Sequence, residues 1–425
     1  MKIIAWLIFI LSLLQVVLGV GKLLFQRELI DFAVYYEAAK ASLDGLNPYS
    51  QTYGDFIAYN YPPSALIYFW PFSALLLFNA QLLFTLLSLA ALFLTGYLLT
   101  QKLPQKYRTT LRLLIFSLLL QNFPTKFTLV MGQVNMFVLL FLVLSFVADQ
   151  KKKFVLSGIF YAFASMIKLT PLTFGLYFLV RGRLKSLIVG LGLFIVVNLI
   201  MLRLWQGTDV FFSDILPLLI AQPGTQASLY DQSIRAFLAR IGLGDSSLVL
   251  SGLITLSLFG FAIYRYVSSK SSNKDFVFFS LILAITTIGS SYTWQHHLVF
   301  LFPGYIAITV ALLKNAGSLI YDLKSEARNP KHETNSNDQN SNVLNTWIIR
   351  VLKIVPPQRD PANSAVISNF DIRISSLRIL LLLLSALLVG YHFPDIAYPP
   401  TSNPILMSHS LFGSLILIGL LLWTT

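Results

Sequence analysis

Uncharged apolar runs recur along this chain from its start, "IIAWLIFILSLLQVVLGV", to its end, "SLFGSLILIGLLLW". A helix needs roughly 17–25 such residues to cross the hydrocarbon core of a bilayer. With no water there to satisfy backbone polar groups, a spanning segment must be a helix or part of a closed barrel. Barrel strands would be shorter and would alternate, so these runs exclude a barrel. Of the 425 residues, 56% are hydrophobic and 12% charged, about half the charged fraction of a soluble domain. The expected fold class is all-α, a polytopic membrane protein with no sizeable soluble domain. The first run is long and more spans follow it, which favours an uncleaved span over a signal peptide.

The formal net charge is +13, which in a soluble chain would suggest nucleic acid. Here the cations gather in short loops: Lys102, Lys106, Arg108 and Arg112; Lys151, Lys152 and Lys153; Arg181, Arg183 and Lys185; Arg265, Lys270 and Lys274. Such loops mark the cytoplasmic side. About twelve transmembrane helices follow from placing them there, near residues 3–21, 80–100, 111–123, 133–149, 154–167, 170–181, 184–204, 247–267, 276–291, 298–314, 377–391 and 408–424. Both termini then lie in the cytoplasm. The outer first loop, 22–79, would carry interfacial helices. It shares the far side with "QNFPTKFTLVMGQVN", residues 205–246 and "GSSYTWQHH", and with His296, His297, His392 and His409. Topology accounts for most of the charge, and nucleic acid drops out as a partner.

Three parts result. Residues 1–314 form the core and 377–425 the C-terminal spans. Between them, 315–376 form a cytoplasmic loop whose centre, "SEARNPKHETNSNDQNSN", is polar enough to be disordered, followed by a short interfacial helix at "VLNTWIIRVLKI". The chain has no cysteine, so disulfides and thiolate metal sites are absent. No internal repeat suggests a transporter built from inverted halves.

Polar residues stand out against this background. In "ELIDFAVYYEAAKASLDGLNPYS", Asp31, Tyr35 and Ala38/Ala39 share one helical face, and Asp44-Gly45 and Asn47-Pro48 stop the helix. By position alone Asp31 would be an N-cap. The run from Phe154 to Val180 must leave one side and return, so it reads as two half-length helices meeting near Lys168-Leu169-Thr170-Pro171. A lysine at that depth costs roughly 2.5–3.5 kcal/mol on insertion scales, and it either lines a cavity or snorkels to an interface. Gln133 and Asn135 are equally out of place in lipid and either bond neighbouring helices or contact substrate. His296 and His297, adjacent on a helix, point roughly 100° apart and would not share a metal. One of them can serve as a general base. Arg235 and Arg240 in "DQSIRAFLAR" either bind a phosphate or contact lipid headgroups. No phosphate loop, zinc signature or Asp-x-Asp pair is present.

Taken together, "DFAVYYEAAKASLDGLNPY" with "YPP" after it, the stretch from "GQVNMFVLL" through "SMIKLTPLTFGLYFLVRGR", "DQSIRAFLAR" and "SYTWQHHLVFLFP" resemble glycosyltransferase family 87. These pieces run in order over roughly residues 25–305. The resemblance implies a GT-C fold with its active site on the extracytoplasmic face of the cell (inner) membrane. It also implies a polyprenyl-phosphate sugar donor and a lipid- or glycan-linked acceptor, with mannose or a similar hexose or pentose transferred by inversion. It places Asp31 and His296 in catalysis. Gln133, Asn135, Lys168 and Arg240 fall on further motif positions, with Tyr35, Arg235 and His297 beside them as donor-binding candidates. Asp231 replaces the usual asparagine of "NQS" and adds negative charge near the expected phosphate. No cofactor or metal ion is expected. The alternatives are a flippase or transporter of lipid-linked sugars, and a non-catalytic protein of envelope assembly.

Overall fold

The computed structural model describes residues 2–26, 28–50, 52–53, 56–57, 59–221, 231–314, 364–391 and 403–424. The expected interfacial helix at "VLNTWIIRVLKI", the polar stretch before it and His392 lie outside them. The long helices are α1 (Lys2–Gln26), α4 (Leu77–Thr100), α10 (Leu184–Leu204), α13 (Ser247–Ser268) and α15 (Gln295–Lys314), each apolar enough to cross a membrane. A sixth span results if α5 (Arg108–Gln121) and α6 (Phe123–Met131), bent by 58° at Asn122, are taken together. Further helices fill the remaining expected positions: α7 (Asn135–Gln150), α8 (Phe154–Ile167), α9 (Gly175–Val180), α14 (Lys274–Gly289), and two C-terminal helices, α16 (Ser364–Gly390), with its apolar part at Ser376–Gly390, and α18 (His409–Thr424). The protein is thus an all-α polytopic membrane protein, and among the described residues two two-residue strands pair as a hairpin, Thr52–Tyr53 against Phe56–Ile57.

The connecting pieces are also helical. In the first loop α2 (Ile30–Leu43) ends at Asp44, and Gly45 follows at a positive φ of 75°, as the turn dipeptides require. The aromatic segment after it forms a short helix, α3 (Leu66–Ser73), and not a span. Before α13 lie α11 (Leu216–Ala221) and α12 (Ile234–Arg240), and α17 (Pro404–Met407) precedes α18.

The break expected near Lys168 is present. Helix α8 ends at Ile167, Lys168 is extended (φ −140°, ψ 151°), and Thr170–Phe174 form a 3-10 turn leading into α9. Pro171 has no N–H to donate to the Ile167 carbonyl, so the α8 ladder cannot continue. Close backbone approach then seats α8 on α10: a Cβ at Gly158 would lie 2.5 Å from the Ser186 carbonyl, the use membrane helices make of small residues. Helix α14 is buried on nearly every side, whereas α10 and α13 turn Leu, Ile and Val outward. A membrane chain places apolar residues on both its core and its lipid face, so hydrophobicity does not distinguish the two.

At the end of the bundle opposite Asp31, an ionic cluster ties the helices together. Asp149, at the foot of α7 and fully buried, pairs with Arg181 at 2.6 Å and with Arg183 at 3.2 Å. Arg181 also reaches Asp275 on α14 at 3.0 Å. Tyr177 donates to Asp149 at 2.9 Å and Tyr266 to Asp275 at 3.0 Å. The arginines of this loop are therefore engaged with carboxylates, Asp149 fully buried and Asp275 partly exposed. Replacing Asp149 by Asn should leave Arg181 and Arg183 underpaired and cost about 3–5 kcal/mol, the range for breaking a buried ion pair. A denaturation series in detergent checks this, with Lys152→Ala, on the exposed turn, expected within about 0.5 kcal/mol of the parent.

Candidate active site

Four segments distant in sequence meet at the other end of the bundle: the start of α2, the α6–α7 turn, the α8–α9 break and the start of α15. The α6–α7 turn depends on Gly132, which adopts a left-handed conformation (φ 71°) as it caps α6. A Cβ there would lie 2.6 Å from the Phe32 Cβ and 3.0 Å from the Leu29 Cβ. Glycine thus serves both the turn and the approach of α2, and the result is that Gln133 faces Asp31.

Asp31 is not the helix cap that its position suggested. Leu29 occupies that place and offers no side-chain bond. The Asp31 carboxylate instead accepts from Gln133 Nε2 at 2.6 Å. Gln133 Oε1 lies 3.1 Å from the Tyr35 hydroxyl and 3.3 Å from that of Tyr61, and the two hydroxyls are 2.7 Å apart. Two hydroxyl hydrogens serve three contacts, so one tyrosine donates to Gln133 while accepting from the other. This fixes the amide with its NH2 group toward the carboxylate. The Tyr35 ring stacks on Phe69 at 4.6 Å, which holds the α2 face in register.

Lys168 projects from the break into the same network. Its Nζ donates to Asn135 Oδ1 at 2.9 Å and lies 2.8 Å from His297 Nε2. It stands 5.8 Å from the centroid of the Tyr61 ring, a cation–π distance. A protonated lysine has three hydrogens, and these two partners leave one for another acceptor. Burial pushes the Asp31 carboxyl up to about 6 from its ordinary 3.8, while the Gln133 hydrogen bond and the Lys168 charge pull it part of the way back. The ionised carboxylate is thus costly in the folded protein. Its contribution to folding stability is full below about 3.8 and is lost as pH rises through about 6.

The two histidines divide the work. His297 touches Lys168. His296 is held by its main chain, whose carbonyl accepts from Asn135 Nδ2 at 3.0 Å and Thr128 Oγ1 at 3.2 Å. Its ring lies parallel to Trp294 (11° between planes, centroids 6.1 Å apart) and 5.4 Å from Phe127. The rings of the two histidines meet edge-on at 4.5 Å. Asp31, Tyr35, Gln133, Asn135, Lys168, His296 and His297 are thus brought together.

Arg235 and Arg240 are engaged elsewhere. Arg240 donates to Ser408 Oγ at 2.8 Å and to the Asp231 carbonyl, and Arg235 reaches the Ile220 carbonyl at 3.4 Å. Asp231 itself accepts at Oδ1 from the Thr293 and Ser233 amides, each at 3.0 Å. An asparagine would accept equally well through that oxygen, and the extra charge here faces Arg240, so the departure from the family pattern has a local explanation. Tyr61 and the aromatic walls Phe127 and Trp294 were missed by sequence reasoning. "YNYPP" was conspicuous, but nothing in it marks which tyrosine turns toward a carboxylate.

Compared with known proteins, residues 59–291 match the model of glycosyltransferase family 87, more than half of the chain. The match covers Tyr61, Gln133, Asn135 and Lys168, but leaves out Asp31 and both histidines, which join them by geometry. No curated protein and no solved structure matches the chain.

Infrared titration of the carboxyl band should place Asp31 protonation near pH 6. Lys168→Met and Gln133→Leu each remove a group favouring the ionised form, so each should move the midpoint upward. A midpoint unmoved in Lys168→Met would show that the ammonium does not act on the carboxylate.

Proposed function

This chain belongs to glycosyltransferase family 87, and we propose that it moves a sugar from a polyprenyl-phosphate donor to a lipid- or glycan-linked acceptor on the extracytoplasmic face of the inner membrane. The observation that carries this reading is that one carboxylate, Asp31, and one ammonium, Lys168, come near enough for their charges to interact, joined through Gln133 and Tyr61. Transfer needs a group to take the acceptor's proton and another to stabilise the departing phosphate. In the proposed step the acceptor oxygen attacks the anomeric carbon and its proton passes to Asp31. The bond from that carbon to the phosphate oxygen breaks, and its electron pair leaves with the lipid phosphate. Lys168, with one hydrogen to offer, stabilises that charge as preorganised donors do, while Asn135 and His297 hold the amine in place. A single displacement of this kind inverts the anomeric centre. Mannose or a similar hexose or pentose is the sugar favoured by the family resemblance.

Asp31 is favoured over His296 as the base because a carboxyl near 6 is well matched to accepting a proton at neutral pH. The His296 ring lies among Phe127 and Trp294 and suits a wall of the sugar or acceptor site. Lys168 provides the cation in this scheme, so it calls for no metal ion. A carrier of lipid-linked sugars would need charges free at both ends of the bundle, whereas Asp149, Arg181, Arg183 and Asp275 engage one another at the far end. The basic turns are assigned to the cytoplasm, together with both termini.

Transfer of radiolabelled sugar from polyprenyl phosphate in membranes tests the scheme. Asp31→Asn should lower kcat by about 10²–10⁴, the usual contribution of a general base, and His296→Ala by less. With the carboxylate as the active form, kcat/KM in the parent should rise with pH and level off above about 6. Full activity in Asp31→Asn would remove the assignment.

A further inference from the structure

We infer that the C-terminal helix pair, α16 and α18, holds the histidine-bearing segment of the site in its working position through Gln232, a positioning residue that touches no reacting atom. The family match stops at residue 291, short of the histidines and of both helices, so nothing in it assigns the pair a role. The hydrogen bonds do. Gln232 is fully buried and bonds in two directions. Its main-chain N–H donates to the Thr293 carbonyl at 2.7 Å. Its side-chain Nε2 donates to the Met407 carbonyl at 2.8 Å, and its Oε1 accepts from the amides of Ser410 at 3.2 Å and Leu411 at 3.3 Å. Those two amides belong to the first turn of α18, where N–H groups have no acceptor within the helix. Gln232 therefore caps α18 from a distance while its backbone grips the extended segment before the histidines, a one-bridge strand in which Trp294 pairs with Asp231.

Neighbouring contacts reinforce the link. Asp231 bridges to Trp294 and accepts the Thr293 amide. Arg240 reaches from the Asp231 carbonyl to Ser408 on the C-terminal side. The Thr293 hydroxyl donates to the Thr287 carbonyl and fixes the strand to the end of α14. Beyond Thr293 the chain runs to His296, whose carbonyl Asn135 holds, and to His297, which touches Lys168. A displacement of the strand would move both histidines and loosen the lysine.

The kinetic consequence rests on the transferase reading above; the structural one does not, and the test has an arm for each. Full-length protein in lipid nanodiscs is compared as parent, Gln232→Leu and Ser385→Ala. Ser385 belongs to the same helix pair, donating to the Gly413 carbonyl at 2.7 Å and contacting the Tyr305 hydroxyl at 2.9 Å, away from the strand. Both variants should lower Tm. Only Gln232→Leu should raise amide exchange across residues 290–297, by about tenfold or more, and only it should lower kcat, by about tenfold or more with donor KM within about threefold. Unchanged exchange at 290–297 in Gln232→Leu, or an equal rise in Ser385→Ala, would overturn the inference. Should Gln232→Leu fail to accumulate, Arg240→Gln, which severs the Ser408 and Asp231 contacts, takes its place with the same two outcomes. A parent without transfer activity would count against the donor assignment and leave the exchange comparison decisive.

Discussion

An ammonium placed among apolar helices must be given partners that replace water, and the site is arranged around that demand. Lys168 meets it with a side-chain amide, an imidazole and a tyrosine face, each from a different part of the chain. Asp31 completes the balance of charge nearby. Because the groups that solvate the lysine are themselves fixed by Gln133, Thr128 and the turn at Gly132, the network has little freedom to reorganise. That is the condition under which fixed charges and dipoles stabilise a developing charge most effectively.

Helix α7 connects this network to the ionic cluster at the other end. Asn135 stands at its beginning and Asp149 near its end, about 21 Å apart at 1.5 Å per residue. The two polar clusters use buried charge differently. At Asp149 the carboxylate is matched by two guanidinium groups and a phenol, which fixes helix positions. At Asp31 the partner is an amide, and the carboxyl is left with a raised affinity for a proton. The first arrangement suits a support and the second a group that exchanges protons.

Much of the architecture was legible in the sequence because a bilayer permits so few solutions. Each expected span coincides with a helix, the break at Lys168 follows from Pro171, and the end of α2 follows from Asp44-Gly45. The number of crossings was less legible: about twelve spans were expected, whereas among the described residues five helices, or six with the bent α5–α6 pair, are long and apolar enough to cross a membrane. In the site, Gln133, Asn135 and Lys168 could be picked out as polar residues in apolar surroundings, and Asp31 through the family resemblance. Their pairing could not, because it is set by the docking of α2 on the α6–α7 turn, and a glycine reads the same whether it serves a loop or a close approach. The surroundings of the arginines of "DQSIRAFLAR" were not legible either: their charge suggests a phosphate or lipid headgroups, and the fold adds contacts from Arg240 to the Asp231 carbonyl and to Ser408.

The contacts that make the site join residues far apart in the chain: 102 positions between Asp31 and Gln133, 129 between Lys168 and His297, and 161 between Asn135 and His296. During synthesis Asp31 is delivered to the membrane long before its amide partner leaves the ribosome, and the lysine is inserted well ahead of the imidazole that receives it. A chain interrupted just before "TWQHH" would carry every helix through α14 and still lack the histidine side of the network, so the site is assembled only after the strand-to-helix junction at residues 293–297 has joined the helices made before it.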